Sequence, residues 1–129
     1  MPSDGVSVLY RWLTRLARRF APVLARSGSK LARGLEGRAA AHEELAAWGR
    51  TERDDARPLV WFHAPSVGEG HQALAVARAL RSERSNLQIV YTHFSPSAEA
   101  LAEGSEADAH AFLPWDQKSS VGAVLDALQ

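Results

Sequence analysis

The sequence predicts an α/β domain on a Rossmann-like parallel sheet, preceded by an amphipathic amino-terminal helix. From residue 58 onward, three short apolar runs rich in β-forming residues alternate with three helical segments. This alternation is typical of parallel strands joined by helical crossovers. Before residue 58, apolar residues recur at helical spacing instead. We therefore divide the chain into a helix over 1–26, a helical connector over 27–57 and an incomplete Rossmann-like portion over 58–129.

The composition indicates one globular domain and excludes several classes of site. The 129 residues include 46% hydrophobic residues, and 15 basic side chains balance 15 acidic ones. The absence of cysteine excludes a disulfide scaffold, a cysteine-ligated zinc or iron–sulfur centre and thiol catalysis. The histidines lack the spacings of helical metal motifs, so we expect neither a metal nor a cofactor. No apolar run approaches the ~20 residues of a spanning helix.

The amino-terminal helix concentrates the positive charge. Residues 1–40 carry eight basic and two acidic side chains, a net charge of +6, whereas residues 41–129 carry −6. An amphipathic helix with arginines opposite an apolar face suits an anionic bilayer surface. Packing of the apolar face on a protein core is the alternative. A signal peptide is disfavoured by the interrupting arginines, and nucleic-acid binding by the acidic remainder of the chain. The predicted membrane contacts are Leu9, Trp12, Leu13, Arg15, Leu16, Arg19 and Phe20.

The predicted connector is punctuated by glycine. Residues 30–38 contain Gly34 and Gly37, which predict a broken segment. Residues 39–49 predict a short helix with Gly49 just beyond its end, and the charged stretch 50–57 predicts an exposed linker.

The sequence predicts three strands and three helices in the Rossmann-like portion. The loops that follow the strands are candidate parts of a site. The strands are expected over 58–63, 87–92 and 109–113, and the helices over 71–84, 98–102 and 121–128. Ligands of parallel α/β sheets bind beyond the carboxyl ends of the strands. The candidate loops are therefore 64–70, 93–97 and 114–119.

The first of these loops contains the most informative carboxylate, Glu69. The run from Gly68 to Ala73 matches a dinucleotide-binding pattern. However, its first glycine lies five residues beyond the strand, and the acidic residue expected after the second strand is missing. Glu69 is either a carboxylate that stabilises the positive end of a helix or a general base over the sheet. Ser66 lacks the surroundings of a nucleophile elbow.

Several ordered segments resemble the amino-terminal domain of the 3-deoxy-D-manno-octulosonic acid (Kdo) transferase family. The most specific segment is Trp61-Phe62-His63-Ala64-Pro65-Ser66-Val67-Gly68-Glu69, with its Ser-Val-Gly-Glu motif. Further similar segments are Lys30–Arg38, Tyr91-Thr92, Ser95-Pro96-Ser97-Ala98 and Leu113-Pro114-Trp115-Asp116. The ordered matches extend from about Tyr10 to Leu128.

The resemblance implies a function and a site. Family members have a two-domain GT-B architecture and transfer Kdo from CMP-Kdo to a lipid A precursor in lipopolysaccharide core synthesis. They act at the cytoplasmic face of the bacterial inner membrane, to which this chain would attach peripherally or by its amino terminus. The resemblance makes Glu69 the catalytic base of an inverting transfer, with Ser66, Gly68 and Gly70 as acceptor-binding loop residues. An anionic membrane surface would be a further partner.

The same resemblance indicates that part of the family pattern is missing. The remaining amino-domain strands and the carboxyl-terminal domain, which holds most CMP-sugar contacts, have no counterpart here. We expect a fragment or a truncated reading frame that is inactive alone. The alternatives are another GT-B nucleotide-sugar transferase and a non-catalytic membrane-surface module.

Overall fold

A three-stranded parallel sheet forms the centre of the molecule. The computed structural model describes residues 4–24 and 29–129. The strands are β1 (Leu59–His63), β2 (Gln88–His93) and β3 (Ala109–Phe112), in the spatial order β1-β2-β3. The registers pair Trp61 with Val90 and Thr92 with Ala111. All three strands lie within one residue of their predicted ends, and the α/β, Rossmann-like prediction is confirmed.

Five α-helices accompany the sheet in the described part of the chain. They are α1 (Asp4–Leu24), α2 (Lys30–Thr51), α3 (Val67–Glu83), α4 (Glu99–Glu103) and α5 (Lys118–Leu128). A short 3₁₀ turn, Pro96–Ala98, precedes α4, and the Ser95 side chain accepts a hydrogen bond from the Ser97 amide there. This confirms a serine cap at the start of the second crossover.

The two faces of the sheet are covered by different helices. Successive residues of a strand point to opposite faces, and the neighbours Val90 and Tyr91 accordingly belong to separate clusters. The larger cluster joins β2 and β3 to α2 and α5 and contains Ala41, Leu45, Trp48, Val90, Ala111, Phe112, Val124 and Leu128. The smaller one contains Ala64, Leu74, Tyr91 and Ala102. The central strand β2 is buried along its whole length.

The predicted break in residues 30–38 is wrong, because α2 is one continuous helix of 22 residues. Its glycines mark close contacts instead of a break. A Cβ at Gly37 would lie 2.1 Å from the Phe112 ring, and one at Gly49 would lie 2.3 Å from the Ala127 carbonyl oxygen. Gly49 is therefore a packing position inside the helix and not its terminus. The segment expected as a connector contributes Leu45 and Trp48 to the core.

Two local expectations about α3 are corrected. The third helix begins at Val67 and not at His71, so Glu69 lies in its first turn. Val76, expected on the apolar stripe of this helix, is 53% exposed. The stretch 50–57 is tethered to the sheet, since Arg53 donates to the Gln88 side chain and Arg57 donates to the Leu87 carbonyl.

Candidate active site

The three predicted site loops meet at the carboxyl edge of the sheet. The Pro65 carbonyl accepts hydrogen bonds from the amides of Phe94 and Ser95, which joins the first loop to the second. The guanidinium of Arg38 then lies 4.8 Å from the Phe94 ring centre and 4.5 Å from that of Trp115, which joins the second loop to the third. The expectation that these loops form one edge is confirmed.

Glu69 is an exposed carboxylate held by a neighbouring hydroxyl. Ser66 is the N-cap residue of α3, and its hydroxyl donates to Oε2 of Glu69. Ser66 and Glu69 have the spacing of a capping box, in which the serine would accept from the amide of the glutamate. The structure shows no such side-chain cap bond. The hydroxyl therefore orients the carboxylate instead of capping the helix.

The two glycines around Glu69 have different surroundings. A Cβ at Gly68 would meet no atom within 4 Å, so this position borders open space. Gly70 is buried, and a Cβ there would lie 2.5 Å from Leu101 and 2.7 Å from the Tyr91 hydroxyl. Gly68 leaves room for a ligand above the helix terminus, whereas Gly70 allows α3 to pack closely on its neighbours.

The two histidines that end β1 and β2 differ in exposure. His93 is 1% exposed, its ring lies 4.2 Å from that of Phe112, and its Nδ1 bonds the Ser95 carbonyl at 3.1 Å. Burial lowers the pKa of His93, and the Ser95 carbonyl partly offsets this effect. His63 is exposed, and among the described residues only its Nδ1 is engaged, by Thr92. Of the pair, His63 alone presents its ring to solvent at this edge.

Arg38 lines a cavity of about 310 Å³ at the carboxyl edge of the sheet, the edge that also carries Glu69. It donates to the carbonyls of Leu113 and Pro114 at 3.1 and 3.3 Å. Burial lowers the pKa of Arg38, while burial and then the Asp116 carboxylate raise the pKa of Tyr10. The cavity walls are Tyr10, Arg38, Trp61, Phe94, Leu113, Pro114, Asp116, Val121 and Val124.

With this geometry described, the comparisons with known proteins identify the family. The family model of 3-deoxy-D-manno-octulosonic-acid transferases (Kdo transferases) matches residues 14–129. The chain belongs to the Kdo transferase family. Searches of curated proteins and of solved structures found no match.

Membership of the Kdo transferase family makes this an amino-terminal, Rossmann-like domain of a glycosyltransferase of Kdo and lipopolysaccharide synthesis. The matched region includes Glu69 and all three loops of the site. Trp12 and Leu13 precede it.

Helix α1 presents apolar side chains to solvent. Trp12, Leu13, Leu16 and Phe20 are between 50% and 65% exposed. Arg15 and Arg19 are also exposed, whereas Arg18 donates to the side chains of Gln117 and Ser120 at the start of α5. The side chain of Leu9 lies outside the described residues, as do residues 1–3 and 25–26 of the predicted helix. Within 4–24 and 29–129, no helix has the length and apolar character needed to cross a membrane.

Several residues of this edge were missed by reasoning from the sequence. Arg38 lies far along the chain from the loops it joins, and its partner Trp115 was noted only as part of a similar segment. Thr92 was likewise noted only as part of a similar segment, without a role of its own. In the part of the chain that is described, no cluster of three histidine, aspartate or glutamate side chains has the geometry of a metal site.

Proposed function

We propose that this chain is the acceptor-side domain of an enzyme that transfers Kdo from CMP-Kdo to a lipid A precursor, with Glu69 as general base. One observation carries the assignment of the base. Glu69 is an exposed carboxylate in the first turn of α3, oriented by the Ser66 hydroxyl, at the edge where the three loops meet. Family membership supports the reaction class. By resemblance, a GT-B arrangement would place the donor in a second domain facing this edge.

The proposed chemistry is an inverting transfer to a sugar hydroxyl. Glu69 accepts the proton of the acceptor hydroxyl, whose oxygen then bonds the anomeric carbon of Kdo. The bond from that carbon to the CMP phosphate breaks, and CMP leaves with the electron pair. The positive end of α3 interacts favourably with the negative charge of the carboxylate. Because Ser66 occupies Oε2, the other oxygen, Oε1, is available for the proton.

The exposed face of α1 supports a location at a membrane surface. Four large apolar side chains that face solvent on one helix are unusual unless another phase covers them. Exposed arginines on the same helix suit the phosphates of anionic lipids. Arg18 meanwhile ties α1 to α5, so the helix would hold the domain close to the bilayer. We infer attachment at the cytoplasmic face of the inner membrane, where a lipid acceptor is accessible.

Replacement of Glu69 tests the proposal. Glu69→Gln keeps the size of the side chain but removes the proton acceptor. Transfer from CMP-Kdo to a lipid A precursor is measured with this chain joined to the remainder of a Kdo transferase, which supplies the further amino-domain strands and the carboxyl-terminal domain. We expect turnover to fall roughly 10²–10⁴-fold, with little change in acceptor affinity. Glu83→Gln, at the other end of α3, is the matched control and should leave turnover unchanged.

The contrary outcomes separate the alternatives. Near-normal turnover of the Glu69→Gln variant would make Glu69 a helix-end carboxylate. Transfer from UDP- or ADP-sugars in place of CMP-Kdo would assign the chain to another nucleotide-sugar transferase. Membrane binding without acceptor binding would indicate a non-catalytic surface module.

A further inference from the structure

The exposed histidine at the end of β1 is held in one orientation by a buried neighbour. Nδ1 of His63 lies 3.2 Å from the carbonyl oxygen of Thr92 and 3.1 Å from its hydroxyl oxygen. Thr92 is fully buried in the central strand. Exposed side chains usually keep their rotational freedom, because fixing them costs entropy without a burial gain. His63 departs from that pattern.

The hydrogen bonds around Thr92 determine which atoms donate. Its carbonyl oxygen can only accept, and it receives the Ala64 amide at 3.0 Å besides the His63 ring. Its hydroxyl oxygen accepts from the Trp61 indole at 2.9 Å and donates to the Phe62 carbonyl at 3.4 Å. The hydroxyl hydrogen is thus used elsewhere, so both bonds to His63 require a proton on Nδ1.

This tautomer leaves a lone pair on the other ring nitrogen. A neutral imidazole with its proton on Nδ1 has an unprotonated Nε2. Nε2 has no partner within the residues that the structure describes. His63 lies six residues before Glu69 in the chain, with the short loop 64–66 between β1 and α3. The lone pair on Nε2 of His63 therefore lies at the same edge of the sheet as Glu69, the candidate base.

We propose that His63 is a second substrate-contacting residue, whose Nε2 accepts a hydrogen bond from a hydroxyl group of the sugar acceptor. Thr92 and Trp61 act through it as positioning residues. The identity of the ligand rests on the proposed function, whereas the tautomer does not. An acceptor atom at this place discriminates in favour of a ligand that offers a hydroxyl, because a ligand without one leaves Nε2 desolvated and unpaired.

The first measurement is the tautomer of His63 in the 129-residue chain. Nitrogen-15 NMR of the imidazole rings at neutral pH distinguishes a proton on Nδ1 from one on Nε2. We expect the Nδ1–H form for His63. His110, which is exposed and makes no ring hydrogen bond in the described structure, should show a mixture of both forms. A His63 ring with its proton mainly on Nε2 would overturn the proposal.

The second measurement compares two substitutions of His63, one that places an amide at the position of Nδ1 and one that places an amide at the position of Nε2. The amide nitrogen of His63→Asn replaces the Nδ1 donor but leaves nothing at Nε2, whereas the amide of His63→Gln reaches the position of Nε2. A de-acylated lipid A precursor is titrated into each chain. We expect His63→Asn to bind roughly two- to tenfold more weakly than the wild type. His63→Gln should retain most of the affinity.

The outcomes are decisive in each direction. Equal affinity of the His63→Asn variant and the wild type would overturn the contact while leaving the proposed function intact. Equal losses in both variants would overturn its assignment to Nε2. Failure of the wild-type chain to bind the precursor would remove the proposed function, and this inference with it.

Discussion

His93 shows how one buried side chain makes stability depend on pH. Its ring ends the fully buried strand β2 beside Phe112 and has almost no access to water. Burial disfavours the charged form, so the pKa of His93 in the folded protein lies below the ordinary value of about 6.5. The unfolded chain therefore binds a proton more readily than the folded one.

This difference predicts acid destabilisation below neutral pH. The contribution of His93 is fully present above about pH 6.5 and is lost as the pH falls from there through the lower, folded pKa. The slope reaches at most about 1.4 kcal/mol per pH unit for one proton. Urea denaturation of the wild type and of His93→Gln between pH 7.5 and 5 measures it, and we expect a shallower slope in the variant.

The control for this prediction is an exposed histidine that does not influence the pKa of His93. His71 lies on α3 and is exposed, so His71→Gln should keep the wild-type slope. If the free energy of unfolding depended on pH equally in the wild type and in His93→Gln, burial of this ring would not be the cause of the acid destabilisation.

At the same scale, the sequence motif selected Glu69 as the candidate base, but it did not predict the direction of the Ser66 hydrogen bond. The Ser-x-x-Glu spacing is that of a capping box, for which the local sequence predicts a hydroxyl that accepts. In the structure the hydroxyl donates to the carboxylate instead. The choice between the two depends on rotamers, which the spacing leaves open.

At the scale of secondary-structure elements, α2 shows that glycines inside a helix can mark the places where another element packs closely against it. Isolated glycine costs about 1 kcal/mol relative to alanine in a helix, which is why a break was expected. Here Gly37 lets the helix approach the Phe112 ring of β3 more closely than any side chain would permit. Contact with the sheet offsets the low helix propensity.

This interpretation predicts opposite effects of alanine at two helical glycines. Gly37→Ala should lower the free energy of unfolding by about 1–3 kcal/mol, because the new methyl group overlaps the Phe112 ring. Gly122→Ala in α5, where a Cβ meets nothing within 4 Å, should raise it by up to about 1 kcal/mol. Chemical denaturation of both variants checks the pair.

The sign of each change is the informative result. If Gly37→Ala were also stabilising, the close approach of α2 to β3 would be absent in solution. A destabilising Gly122→Ala would indicate that α5 packs against something beyond the described contacts.

For the whole molecule, the proposed contact with a membrane depends on how exposed apolar and basic groups are distributed on α1. Arg18 docks the helix on α5, while Arg15 and Arg19 remain exposed beside Leu16 and Phe20. Arg18 therefore helps to hold the helix on the domain, beside its packing on α2. The exposed Arg15 and Arg19 are the arginines that we propose for lipid phosphates.

We expect liposome binding to depend on those two exposed arginines and on salt. Each basic residue near an anionic surface contributes about 1 kcal/mol, so Arg15→Gln combined with Arg19→Gln should weaken binding to anionic vesicles roughly 30-fold. Added salt should weaken binding of the wild type. Co-sedimentation measures both effects.

The matched control removes two arginines elsewhere. Arg78 lies on α3, Arg84 directly follows the helix, and both are exposed. Their replacement by glutamine should leave vesicle binding nearly unchanged. Equal binding of the wild type to neutral and anionic vesicles would contradict the electrostatic part of the interpretation.

The sequence by itself determined the strands, their alternation with helices and the motif that contains Glu69. These features are local, because strand-forming residues and the flanking turn residues lie next to one another in the chain. The amphipathic character of α1 is also a local pattern, visible from residue spacing alone.

Only the tertiary structure decided which distant residues complete the site. Arg38 meets Phe94 and Trp115 more than 50 positions away, and Thr92 selects the tautomer of His63 from a neighbouring strand. It also decided that α2 continues through its glycines. In each case the deciding energy is a contact between elements separated in the chain, so no local propensity or spacing carries it.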